Sequence, residues 1–158
     1  KFDYHFTEGE FSGNPFVMIK PDTYVNNSGL AVSDCINHYK VNIENVLVVV
    51  DDINLNFADV RIRKSGGDGG HNGLSSIIYH LQSKDFSRLR IGIGSDFKAG
   101  NLANYVLSDF DKNDLIQLEK SFALSIQLVD SFILDGYHNM LSTFSRLKNL
   151  DKLNTEPE

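Results

Sequence analysis

Apolar positions along this chain follow two rhythms, one of period two and one close to 3.6, and the two alternate in order. Phe16 to Ile19 is a short apolar run stopped by Pro21, and Val46 to Val50 is a stronger β-branched run ended by Asp51 and Asp52; both predict buried strands. Between them Leu30, Ala31, Cys35 and Ile36 fall at helical spacing within Ser28 to Tyr39. Strand, helix and strand in that order predict a βαβ unit with parallel strands. Val60, Arg61, Ile62 and Arg63 alternate apolar with basic, predicting a strand with one buried and one cationic face, and Gly66, Gly67, Gly69 and Gly70 follow it. Leu74, Ile77, Ile78 and Leu81 then mark an amphipathic helix, and Arg88 to Gly94 alternates again as a strand. Leu115, Leu118, Phe122, Ile126, Val129 and Ile133 predict a long helix capped by Asp111 or Asn113 and interrupted at Gly136, before Met140 to Leu147. Apolar periodicity stops at Asp151, so residues 151–158 read as a frayed polar tail. Together these elements predict a single α/β domain over residues 1–150: a mixed, largely parallel twisted sheet flanked by helices.

Composition narrows the class without naming a function. A chain of 158 residues, 41% hydrophobic and 23% charged, can bury a core without disulfides or a structural metal. No apolar run approaches the roughly 18 residues of a membrane span, so no membrane partner is expected. Cys35 is the only cysteine, which excludes a disulfide framework and a multi-cysteine zinc site and favours a reducing compartment. The net charge of −6 argues against a polyanionic partner until its distribution is considered. Residues 61–100 carry seven basic against three acidic side chains, while both flanks are acidic. One basic island on an acidic protein can still hold a polyanion locally.

Three segments bear candidate chemistry: residues 23–29 (TYVNNSG), Asp51-Asp52, and residues 69–73 (GGHNG). Each follows a predicted strand or strand-to-helix junction, where open α/β sheets collect ligands. Asn26 and Asn72 offer neutral amides, Asp51 a carboxylate, and the glycines let a ligand approach the backbone. Each also has a plainer reading. Asn26 with Ser28 suits turn and helix-cap chemistry, Asp51 can cap the loop after its strand, and His71 at a helix start is commonly a surface residue. The glycine stretch lacks the Gly-Lys-Ser or Gly-Lys-Thr ending of a phosphate loop, and no metal-ligand spacing occurs.

Four blocks, KPDTYVNNSG (20–29), VVVDDINL (48–55), RIRKSGGDGGHNGL (61–74) and RLRIGIG (88–94), resemble in order and spacing the signature blocks of bacterial peptidyl-tRNA hydrolases. The resemblance runs from Lys1 to about Ser145. It implies an enzyme that hydrolyses the ester joining a peptide to the 3′ end of tRNA, recycling tRNA for translation without metal or organic cofactor, as a cytoplasmic monomer. By the same resemblance, Asp51 orients and polarises a catalytic histidine. Asn26 binds the 3′ CCA end beside the aromatic contact at Tyr24, and Asn72, flanked by His71, contacts the peptide–ribose region and positions water. Arg63 and Arg90 correspond to the pair set against the 5′ phosphate, with Arg61 and Lys64 extending the basic shelf; arginine's planar fork suits phosphate oxygens.

The chain departs from the family pattern at its start. The opening strand, the Gly-Leu-Gly-Asn-Pro-Gly turn and the Thr-Arg-His-Asn segment, which carries the base histidine, do not occur in it, and His5 is a poor substitute. The chain as given is therefore expected to lack the base and to be impaired alone. Ala58 stands where glycine is frequent and Asn56 where proline is, changes expected to alter loop stiffness more than chemistry. The alternative in another class is a catalytically inactive hydrolase-like RNA-binding protein. Asp51 discriminates against it, because a pure binding module needs no carboxylate to orient a base. A phosphate-binding α/β protein unrelated to tRNA ranks last.

Overall fold

A computed structural model describes the backbone of residues 3–155 and the side chains of residues 3–150. The chain opens on a hairpin of β1 (Tyr4–Phe11) and β2 (Asn14–Pro21), paired antiparallel from Tyr4 opposite Pro21 to Phe11 opposite Asn14. Its two-residue turn is Ser12-Gly13, both at positive φ (51° and 83°), the twist that two-residue hairpin loops require. A 3-10 turn at Val25–Asn27 leads into α1 (Ser28–Tyr39), whose Ala31 and Cys35 pack on Tyr4, Val17 and Ile19 of the hairpin.

The second sheet has the order β3-β5-β4, from β3 (Leu47–Asp52), β5 (Ser87–Gly92) and β4 (Val60–Arg63). β3 runs parallel to β5, and β4 runs antiparallel to it. The mixed sheet agrees with the sequence pattern, but two expectations change. β2 and β3 are not hydrogen-bonded neighbours, so the helix between them does not close a parallel pair, and β3–β5 is the one parallel pairing among the described strands. A helix between two strands fixes their order along the chain but not their adjacency.

Two helical layers cover this sheet. On one side α2 (Asn72–Leu81) packs Leu74 and Ile77 with Val32 and Phe86 over Val46, Val48 and Val50. On the other, Val60, Ile62 and Leu89 meet Leu128, Phe132 and Met140 of α4 (Lys112–Thr155). α1 and α2 meet so closely at Gly29 that a Cβ there would lie 2.2 Å from the Ser76 carbonyl oxygen, and Gly29 N–H donates to Ser76 Oγ at 3.0 Å.

The short helix α3 (Leu102–Val106) precedes α4. Asp111 Oδ1 caps α4 by accepting from the Asn113 and Asp114 N–H groups at 2.7 and 2.8 Å, which settles which of the two candidate residues is the cap. The expected interruption is a break at Asp135-Gly136, where Gly136 takes φ 64°. Residues 151–155 extend the α4 backbone into the stretch expected to fray; residues 156–158 lie outside the described residues. No helix among the described residues is long and apolar enough to cross a membrane.

Candidate active site

The amino end of α2 gathers the segments bearing Asn26, Asp51, His71 and Asn72. His71 is its N-cap, with extended backbone, and its Nδ1 accepts the Leu74 N–H at 3.2 Å. The other ring nitrogen, Nε2, lies 3.4 Å from Asp51 Oδ1 at the end of β3. Asn72 is the next residue and its side chain is exposed. The 3-10 turn carrying Asn26 packs against the same helix end: a Cβ on Gly73 would lie 3.1 Å from Val25 Cγ2. The segments bearing Asn26, Asp51 and Asn72 thus adjoin one another, and Tyr24 stands beside them 85% exposed.

The electrostatics of this corner centre on Asp51. The hydrogen bond from His71 holds its carboxyl below the usual carboxylate range, against the opposing effect of partial burial. Because Nδ1 spends its lone pair on the helix cap, a neutral His71 carries its proton on Nε2 and donates it to Asp51. Neither nitrogen is then open to take a proton from water. His5 is engaged elsewhere, with Asp22 at 3.2 Å.

The basic island is a sheet surface. In the antiparallel register Arg61 faces Arg90 and Arg63 faces Arg88, so four arginines share one face of β4 and β5. Arg63, Arg88 and Arg90 line a cavity of about 130 Å³ with Ser65, Gly66, Gly67, Asp68 and Leu74. Arg61, Arg63 and Lys64 are exposed, as the alternation predicted. Arg90 is less free than a surface shelf would make it: its Nε forms an ion pair with the buried carboxylate of Asp52. Asp52 Oδ1 also accepts the Asn54 N–H at 2.9 Å, fixing the loop after β3.

Asp52, Asp68 and Arg88 are charged residues here to which the sequence pattern assigns no role. The signal for Arg88 was available in the strand pattern, since it stands two residues before Arg90 on the same face. A wider depression of about 710 Å³ opens at the carboxyl ends of β3 and β5, among Ile53 to Phe57 and Gly94 to Phe97. No group of three or more His, Cys, Asp or Glu among the described residues is placed to hold a metal ion.

The family model described as peptidyl-tRNA hydrolase matches residues 1–152. The chain belongs to the peptidyl-tRNA hydrolase family. Peptidyl-tRNA hydrolase of Thermoanaerobacter pseudethanolicus is 40% identical over 145 residues, covering 92% of this chain and 78% of the relative. That of Clostridium acetobutylicum is 37% identical over 143 residues, covering 90% and 75%. Among solved structures, peptidyl-tRNA hydrolase from Acinetobacter baumannii superposes with a TM-score of 0.83 at 27% identity, covering 90% of this chain and 72% of that one. A peptidyl-tRNA hydrolase crystallised with N-propanol gives a TM-score of 0.81, also at 27% identity, covering 90% and 70%. The mixed α/β architecture of this chain is that of the family.

Proposed function

We propose that this chain hydrolyses the ester bond of peptidyl-tRNA, releasing the peptide carboxylate and a tRNA with a free 3′ hydroxyl, as a monomeric cytoplasmic enzyme of translation. The observation that carries the reading is the meeting of Asp51 and His71 at the start of α2, with Asn72 next in sequence and the Asn26 turn packed against the same helix end.

The chemistry follows from the groups present. Ester hydrolysis needs a water held in line with the carbonyl carbon, a base for its proton and donors for the oxyanion. Asn26 and Asn72 supply amides that hold the 3′-terminal ribose, the carbonyl and the water without adding a competing charge. Tyr24 offers an aromatic face to a terminal base. Asp51 orients and polarises an imidazole, as a buried or half-buried carboxylate does in acyl-transfer sites. His71 in its described geometry holds Asp51 and cannot act as the base, since both ring nitrogens are committed. The base is a second imidazole at Asp51, and these 158 residues turn over slowly without one.

Arg63 and Arg90, with Arg61 and Lys64 beside them, meet the 5′ phosphate of the tRNA. Recognition by terminal phosphate and backbone carries no base-sequence preference. The acidic remainder of the protein opposes non-specific coating of RNA.

The test is cleavage of an N-blocked aminoacyl-tRNA by the 158-residue chain with and without free imidazole added to serve as the second imidazole at Asp51. Imidazole should accelerate release in the wild type, and Asn72→Ala should abolish that acceleration. Imidazole-independent full activity would overturn the assignment of the base. Absence of both cleavage and tRNA binding would overturn the function.

A further inference from the structure

Arg88 is the most deeply placed charge in the basic cluster, 2% exposed, and no carboxylate among the described residues forms an ion pair with it. Its guanidinium is held instead by main-chain oxygens: Nη2 donates to Gly66 at 2.5 Å and to Lys84 at 3.4 Å, and Nη1 to Gly67 at 3.3 Å. The group lies over the Phe86 ring, 4.5 Å from its centroid, and Nε is buried without a hydrogen-bond partner. Directly across the strand pair stands Arg63, a like charge. Burial, first, and the neighbouring Arg90 pull the Arg88 pKa below its ordinary value, with Asp68 opposing them in part. Asp68 lines the same cavity but is set on the Gly70 N–H and only partly offsets the three arginines there, so a buried cation facing another cation remains costly and an anion in the cavity relieves that cost.

The loop that Arg88 grips leads straight to the candidate active site. Gly66 is also tied by its own N–H to Lys84 O at 3.4 Å. Asp68 Oδ1 accepts the Gly70 N–H at 2.7 Å, and Asp68 O accepts the His71 N–H at 3.1 Å. His71 then caps α2 through Leu74 and meets Asp51. From Arg88 to Asp51 the connection is an unbroken run of hydrogen bonds and one short, turn-rich segment, and the cavity lined by Arg63, Arg88 and Arg90 opens onto its first residues.

We propose that Arg88 is a positioning residue: it sets the Gly66–Asp68 turn and through it the placement of His71 and Asn72, so that a phosphate monoester seated between Arg63 and Arg90 is felt at the ester site. The proposal rests on reading that cavity as the seat for the terminal phosphate of the substrate. An anion entering it draws the guanidinium and the Gly66 and Gly67 peptides together, and the cap on α2 tightens or shifts with them. Substrates bearing a terminal phosphate then meet a site whose amides are already in place, while substrates without one do not. Arginine is required for this and lysine does not replace it, because one planar fork holds the carbonyls of two consecutive residues while an ammonium presents a single point.

The experiment is a titration of the 158-residue chain with inorganic phosphate, followed by backbone amide NMR, with sodium chloride at matched ionic strength as reference. In the wild type the Gly66 and Gly67 amides should shift, and the His71 and Leu74 amides should shift with them along the same binding curve. In Arg88→Lys the Gly66 and Gly67 response should weaken severalfold and the His71 and Leu74 response should be lost. Gly66→Ala tests the same link from the loop side and serves if Arg88→Lys fails to fold: Gly66 sits at φ 148°, and its added Cβ would stand 2.9 Å from Arg88 Nη1, so the grip should break with Arg88 in place. The proposal is overturned if His71 and Leu74 stay silent while Gly66 and Gly67 respond, or if they respond equally in the variants. A wild type silent at all four amides overturns the phosphate seat itself, and the relay with it.

Discussion

His71 Nε2 stands 3.4 Å from Asp51 Oδ1 while the opposite nitrogen of the same ring caps α2, so one side chain ties the end of β3 to the start of a helix. The tie has a pH signature. Because Asp51 is held below its ordinary pKa, the folded protein binds that proton less readily than the unfolded chain. The resulting stability is present above the unfolded value, about pH 4, and is lost as pH falls through the lowered folded value. Urea unfolding of wild type and Asp51→Asn should therefore differ most above about pH 4 and converge below it. A difference that widens on acidification would contradict the pairing.

Arg63 and Arg90 share a proposed partner but not a structural setting, and substitution should separate them. Arg63 is exposed, so Arg63→Gln should change stability by no more than about 0.5 kcal/mol and act on tRNA affinity and its salt dependence. Arg90→Gln leaves the Asp52 carboxylate buried without its cation and should destabilise the fold by about 3 kcal/mol besides weakening tRNA binding. Chemical unfolding beside filter binding at two salt concentrations measures both. Equal stability losses in the two variants would contradict the Asp52–Arg90 pair.

Ala58 offers a test of the loop after β3. It sits at φ 63°, in the left-handed region that disfavours a Cβ, with its N–H donating to Gly92 O at 2.9 Å and its carbonyl accepting from Ser121 Oγ. Ala58→Gly should raise stability by about 1 kcal/mol, since relief of the left-handed strain outweighs the added freedom of the unfolded chain. A destabilised Ala58→Gly would show that the methyl group packs where only strain is now assigned.

Much of the architecture was legible because it depends on local pattern. Ser28 to Tyr39, the helix over Leu74 to Leu81, the cationic face of Val60 to Arg63 and the break at Gly136 all follow from periodicity, capping chemistry or glycine's freedom at positive φ. β1 was missed because its residues after Tyr4 are largely exposed and mix charge with aromatics; the turn at Ser12-Gly13 and pairing with β2 make it a strand, not a buried stripe. Partnership among strands was misjudged for a similar reason, since pairing of β3 with β5 is a tertiary fact no local window contains. Asp51, Asn26 and Asn72 stand out in the sequence by residue type and by family resemblance, and the structure brings their segments to one helix end. The parts played by Asp52 and Arg88 escaped because both depend on register: Arg90 lies opposite Val50 and so reaches diagonally to Asp52, and Arg88 lies opposite Arg63 beneath the glycine loop. Adjacent carboxylates on a strand end are indistinguishable in sequence, yet one meets a histidine and the other an arginine.

The central claim, that the start of α2 and the loops against it hold the acylated 3′ end of tRNA, is tested most directly by amide and side-chain NMR of the 158-residue chain with a short, non-hydrolysable analogue of 3′-peptidyl-adenosine. Perturbations largest on Asn26, Asp51, His71 and Asn72, and smaller along the Gly66–Asp68 turn that leads from Arg88, are the predicted result. Perturbations centred away from the amino end of α2, or saturating binding that leaves both asparagine side-chain amides unchanged, would contradict it.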